Sequence, residues 1–115
     1  MPDTRFPTEM IGGPPIVIAP ADIDVITADD LRVALLDAGR HGHATVVVDM
    51  TRTVFCNSAG LGVLVGAHRR ARAKGGELRL VVAAEGAVTR ALTVTALNRV
   101  IPSFGSLGQA LAVRP

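Results

Sequence analysis

The sequence predicts an α/β fold, a single domain in which a small mixed β-sheet packs with about four α-helices. Three observations carry this expectation. Apolar, β-branched runs stand at Ile16-Val17-Ile18-Ala19, at Val46-Val47-Val48 and at residues 78–82; runs without polar alternation suit strands covered on both faces. Between them, apolar residues recur at helical spacing. Strands that alternate with helices imply a layered sheet.

In chain order, residues 1–14 hold Pro2, Pro7, Pro14 and the pair Gly12-Gly13 and read as a flexible lead-in. The domain is expected over residues 15–113. Its first strand, around residues 16–19, is stopped by Pro20. Thr27 is the expected N-cap of the first helix, with Asp29 and Asp30 in its first turn. Leu31, Ala34, Leu35 and Ala38 follow at helical spacing, and Gly39 ends it. His41-Gly42-His43 makes a turn into the Val46 strand, and residues 51–57 are a connection. A long helix is predicted over residues 58–74, carrying Leu61, Leu64, Val65 and Ala71. Arg69, Arg70, Arg72 and Lys74 lie at its C-terminal end, where the helix dipole favours cations, and Gly75-Gly76 terminates it. A strand over 78–82 precedes a third helix over 86–97 with Val88, Leu92 and Ala96 on one face. Val100-Ile101 reads as a short last strand. Ser106 is placed to cap a final short helix carrying Leu107, Ala110 and Leu111.

Composition narrows the function classes. A chain of 115 residues, 49% hydrophobic and 19% charged, buries roughly two-thirds of its unfolded surface without help from disulfides or metal. Its one cysteine cannot form an internal disulfide and fits a reducing, cytoplasmic setting. No run approaches the ~20 apolar residues of a membrane span, and the N-terminus has no signal-peptide pattern. A net charge of +2, with three Phe and no Trp or Tyr, offers little for stacking on bases, so direct nucleic-acid binding is not expected.

The most informative stretch is Phe55-Cys56-Asn57-Ser58-Ala59-Gly60-Leu61-Gly62. A polar pair stands where a loop enters a helix, followed by residues too small to fill a first turn. Glycine costs a helix about 0.5–1 kcal/mol against alanine, so a bare turn implies close approach by another backbone or a partner. The simplest reading of Ser58 is an N-cap whose hydroxyl accepts a backbone N–H. A phosphate cradle lacks its glycine pattern. A hydrolase nucleophile lacks a base: His68 lies ten residues along the same helix, roughly 15 Å at 1.5 Å per residue. Cys56 reads as a core thiol, His41 and His43 as solvated imidazoles without a third metal ligand, and residues 69–74 as a solvated helix end.

The segment from Phe55 to Gly62 resembles the F-x-D-S-[ST/A]-G-L-G signature of the STAS domain, the fold of bacterial anti-sigma factor antagonists. Further stretches agree in order and spacing. Ala21-Asp22-Ile23-Asp24-Val25-Ile26-Thr27-Ala28 is similar to G-E-[IL]-D-x-x-T-A, and residues 46–50 to V-V-[LI]-D-L. The basic helix end and following strand, residues 68–82, also correspond. Residues 88–101 resemble V-x-R-x-L-x-x-x-G-L-x-x-x-[FI], and residues 106–111 the closing S-L-x-x-A-L. The resemblance spans roughly residues 16–112.

It implies that the protein is no enzyme and needs no cofactor or metal, but binds an anti-sigma factor of the serine-kinase type and frees a sigma factor. Ser58 maps onto the phosphoacceptor whose modification switches binding off, with a PP2C-type phosphatase reversing it. Asp24, Thr27, Asn57, Ser58, Ala59, Gly60, Leu61 and Gly62 map onto the partner-binding surface, in a monomer or weak dimer. Asn57 departs from the aspartate of the pattern and removes a charge beside the acceptor. That keeps open a STAS scaffold or sensor that is never phosphorylated, and a small-molecule or nucleotide-binding STAS domain.

Overall fold

A computed structural model describes residues 7–10 and 13–112. Its main sheet has five strands in the order β1-β2-β4-β6-β7, formed by Thr8–Met10 (β1), Pro15–Ile18 (β2), Val46–Asp49 (β4), Leu78–Val81 (β6) and Ser103–Phe104 (β7). β1 pairs antiparallel with β2, and the other neighbours are parallel. The sheet is therefore mixed, as expected. Two further segments, Asp22–Ile23 (β3) and Phe55–Cys56 (β5), form a separate parallel ribbon. The helices are Val25–Ala38 (α1), Ser58–Ala73 (α2), Ala87–Val94 (α3) and Leu107–Ala112 (α4).

Period-2 alternation in the central strands divides the core. Val17, Val46, Val48, Leu78 and Leu80 meet Leu31 and Leu35 of α1, Leu64 and Ala67 of α2, and Val88 and Leu92 of α3. Ile16, Val47 and Val81 pack with Ala110, Leu107, Leu111 and Phe104, so α4 covers the opposite face. Arg79 stands buried on β6, paired with Glu77 at 2.8 Å and donating to the Ala110 carbonyl at 2.9 Å. Those bonds satisfy a guanidinium that would be costly to bury alone, and they tie α4 to the sheet.

The structure corrects several expectations. Part of the expected lead-in is strand β1: three residues among prolines and glycines show no periodicity, and pairing with β2 makes them a strand, helped by Ile18 N–H donating to the Pro7 carbonyl at 2.9 Å. Residues 1–6 of that lead-in lie outside the described residues. The connection over 51–57 contains β5, too short to show a pattern. α3 ends at Val94, because Ala96 takes a left-handed φ of 61° and a 3-10 turn, Leu97–Arg99, follows. The residue in that position of the resembling pattern is glycine, which adopts φ > 0 without steric cost. The last strand is Ser103–Phe104, not Val100-Ile101: Ile101 is buried in the core as part of a turn while Val100 is exposed.

Ser106 caps α4 as expected, accepting from Gln109 N–H at 3.2 Å. Gly39 ends α1 and Lys74 is the C-cap of α2. At Gly76 a Cβ would overlap the carbonyl of Ala44, so only glycine lets the chain pass there into β6.

Candidate functional site

The β3–β5 ribbon builds the site. Asp22 lies opposite Phe55 and Ile23 opposite Cys56. Thr53 Oγ1 donates to the Pro20 carbonyl at 2.8 Å, Val54 and Phe55 N–H to the Ala21 carbonyl at 2.8 and 3.2 Å, and Asn57 N–H to the Ile23 carbonyl at 3.0 Å. The register carries on to set Asp24 beside Asn57. Each of those two residues is the N-cap of the helix that follows it. Two helix N-termini thus stand side by side.

At α1 the cap is Asp24, not Thr27. Its Oδ1 accepts from Ile26 N–H and Thr27 N–H, both at 2.9 Å, and from Thr27 Oγ1 at 3.1 Å. Thr27 Oγ1 in turn accepts from Asp24 N–H at 2.7 Å, a reciprocal capping box. The N–H of Thr27, its hydroxyl and the N–H of Ile26 hold the Asp24 carboxyl below its ordinary pKa. The helix starts earlier than expected because an ionised carboxylate with a threonine three residues on caps better than a threonine alone. Asp29 and Asp30 fall beyond the first turn, and Asp29 pairs with Arg32 at 2.8 Å.

At α2 the cap is Asn57, whose Oδ1 accepts from Gly60 N–H at 3.0 Å. Ser58 is therefore the first helical residue and not a cap; it is exposed, and its hydroxyl bonds to no other described residue. A helix leaves its first N–H groups without intrahelical partners. With Asn57 satisfying Gly60, those of Ser58 and Ala59 are free among the described residues.

Ala59 and Gly62 are exposed and Leu61 is half-buried, but Gly60 is turned inward. A Cβ on Gly60 would lie 2.6 Å from Cys56 Sγ and 2.7 Å from Ile23 Cγ2. Its missing side chain lets α2 sit down on the ribbon, a close approach made by the fold's own interior. Burial pushes the Cys56 thiol up to about 11, as suits a core residue.

Around the two caps stand apolar side chains that the sequence reading passed over: Val25 and Ile26 at 71% and 72% exposure, Val54 at 65% and Phe55 at 49%. With α1 capped by Asp24, Val25 and Ile26 fall off the face defined by Ala28, Leu31 and Leu35. That signal was available once the cap was placed correctly. Exposed apolar side chains grouped in this way are the composition expected of an interaction surface.

The remaining singled-out residues lie elsewhere. His68 is buried against β6, its Nδ1 accepting from Leu78 N–H at 3.2 Å, and burial together with Arg72 lowers its pKa. His43 lies near the C-terminal ends of α1 and α2.

Comparison with known proteins agrees with this fold. A family model described as the STAS domain matches residues 5–110. The fold is similar to that of an anti-sigma factor antagonist from Mycobacterium paratuberculosis, at 24% identity and a TM-score of 0.84, covering 92% of this chain and 89% of that one. It is also similar to an anti-sigma-factor antagonist (STAS) domain protein from Planctomyces limnophilus, at 17% identity and 0.77, covering 92% and 93%. The Bacillus cell fate determinant SpoIIAA in its phosphorylated form matches at 19% identity and 0.67, covering 91% and 95%.

Proposed function

The chain belongs to the STAS domain family, and on that premise we propose that it is an anti-sigma factor antagonist whose binding is switched off by phosphorylation of Ser58. The partner is an anti-sigma factor of the serine-kinase type, and its sequestration frees a sigma factor; a PP2C-type phosphatase resets the switch. The observation that carries this reading is an exposed, uncommitted hydroxyl at the first position of α2, bordered by exposed Val25, Ile26, Val54 and Phe55.

The physics of such a switch follows from the two caps. Unmodified, the surface offers a slim helix start, Ser58-Ala59, beside apolar anchors, and a partner gains by covering them. A phosphate adds about −1.5 to −2 charge and three acceptor oxygens. The free N–H groups of Ser58 and Ala59 and the dipole of a 16-residue helix stabilise that anion, so folding is preserved. The partner, by contrast, must desolvate a dianion amid apolar contacts and beside the Asp24 carboxylate.

The test is to incubate the protein with a kinase-type anti-sigma factor and ATP, locate the phosphate by mass spectrometry and measure binding of variants. Phosphate is expected on Ser58, with Ser58→Ala still binding and Ser58→Glu binding poorly. Transfer only to Thr51 or Thr53, or equal binding by all forms, overturns the switch. Asn57 favours one second reading: a neutral cap beside the acceptor suits a STAS module that binds its partner constitutively. In that case no phosphate transfer is seen and Ser58→Glu binds normally.

A further inference from the structure

At the end of the helical layer opposite Ser58, about 24 Å along α2 at roughly 1.5 Å per residue, α1 and α2 diverge over the start of β4. The cleft there is shallow and open to solvent, with about 40 Å³ of enclosed space. Leu35, Val46, Ala67, Ala71 and Leu78 form its floor, and among the described residues its rim carries the nitrogen-bearing side chains of His43, Arg70 and Lys74. Among the described residues no acidic one lines it.

The three rim groups are not equally committed. Lys74 Nζ donates to the Gly39 carbonyl at 3.1 Å and closes one side of the cleft across the end of α1. Arg70 lies back over Gly66, where a Cβ would come within 3.5 Å of its Nη1. Among the described residues the ion pairs are Arg32–Asp29 and Arg79–Glu77, so neither Arg70 nor Lys74 has a described carboxylate partner.

Two helix C-termini point this way and carry roughly half a negative charge each. Their carbonyls are already answered: Gly39 by Lys74, and Ala71 and Arg72 by the N–H groups of Lys74, Gly75 and Gly76. Two full positive charges against two capped half-charges leave the rim net cationic.

We propose that this cleft is a binding site for a small amphipathic carboxylate, with the anion on Arg70 and His43 and an apolar tail on the floor between α1 and α2. The planar guanidinium presents paired N–H groups that match a carboxylate. An apolar floor with convergent polar groups at one edge is the usual composition of a small-molecule site. The site is separate from the Ser58 face and does not depend on how that face is used.

The experiment is an amide-resolved NMR titration of the full chain with hexanoate, repeated with acetate, inorganic phosphate and hexylammonium. Saturable shifts are expected from hexanoate at Leu36, Gly39, Ala44, Ala71 and Lys74. Acetate, which lacks the tail, should bind at least about tenfold more weakly, and hexylammonium should leave those amides unmoved. Arg70 is exposed, so Arg70→Glu should fold normally and weaken hexanoate at least about tenfold. Acetate or phosphate binding as well as hexanoate would reduce the site to general surface charge and overturn the proposal. So would shifts at Val25 and Phe55 instead of the cleft, or an undiminished response in Arg70→Glu.

Discussion

The N-termini of α1 and α2 stand side by side, yet they are built differently. At α1 an ionised Asp24 accepts three bonds and closes a capping box with Thr27, and the first-turn side chains are the bulky Val25 and Ile26. At α2 a neutral Asn57 accepts one bond, and the turn is Ser58-Ala59-Gly60. The first is a saturated terminus that presents apolar anchors. The second is held by a single side-chain bond, keeps two N–H groups free and exposes a hydroxyl. On the proposed reading, one terminus gives a partner something to grip, and the adjacent one receives a negative charge without unfolding.

The contrast can be broken from either side. The largest stability effect is expected at Gly60, where an added methyl meets Cys56 Sγ and Ile23 Cγ2. Gly60→Ala should cost about 1–3 kcal/mol in chemical denaturation, and an unchanged midpoint would mean that α2 is not seated on the ribbon as described. Phe55→Ala should weaken partner binding about tenfold, ~1.4 kcal/mol, with little change in melting temperature because Phe55 is about half exposed in the free protein. A comparable loss from Val33→Ala, on another exposed part of α1, would show that the anchors are not local to the caps.

Smaller effects separate the caps themselves. Asn57→Ala should cost about 1 kcal/mol; Asn57→Asp should retain the bond to Gly60 and gain about 0.3–1 kcal/mol at neutral pH from the helix dipole. Acid should loosen α1 alone. The folded Asp24 pKa is lowered from 3.8, so its contribution is complete above that value and is lost as pH falls through the lower folded one. Amide exchange at Ile26 and Thr27 should quicken in that window while Gly60 stays protected; in Asn57→Asp, Gly60 should join them.

Much of this was legible in the sequence, for identifiable reasons. Val46-Val47-Val48 and residues 78–82 announce buried strands because both faces are covered. The C-terminal end of α2 is marked by its cations and by Gly75-Gly76. The two-residue strands were hidden: Asp22-Ile23 and Phe55-Cys56 have no period of their own and exist because Asn57, Val54 and Phe55 N–H groups find carbonyls more than thirty residues away. That pairing also decides the caps. Local pattern favoured Thr27 and Ser58, whereas the ribbon ends one residue before Asp24 and Asn57 and hands the cap to each. Gly60 carried a true signal that left open whether another part of the fold or a partner comes close, and bareness there serves Cys56 and Ile23. The exposed cluster at Val25, Ile26, Val54 and Phe55 could be recognised only once those helix starts were known.

The central claim is that charge at Ser58 controls binding and leaves the fold intact. The most direct measurement prepares the protein phosphorylated at Ser58 alone and compares it with the unmodified form in affinity for the anti-sigma factor and in thermal unfolding. Affinity is expected to fall about 100-fold or more, ~3 kcal/mol, while the melting temperature moves by less than about 2 °C. Equal affinity for the two forms, or a loss of binding that tracks a loss of folding, would contradict the account.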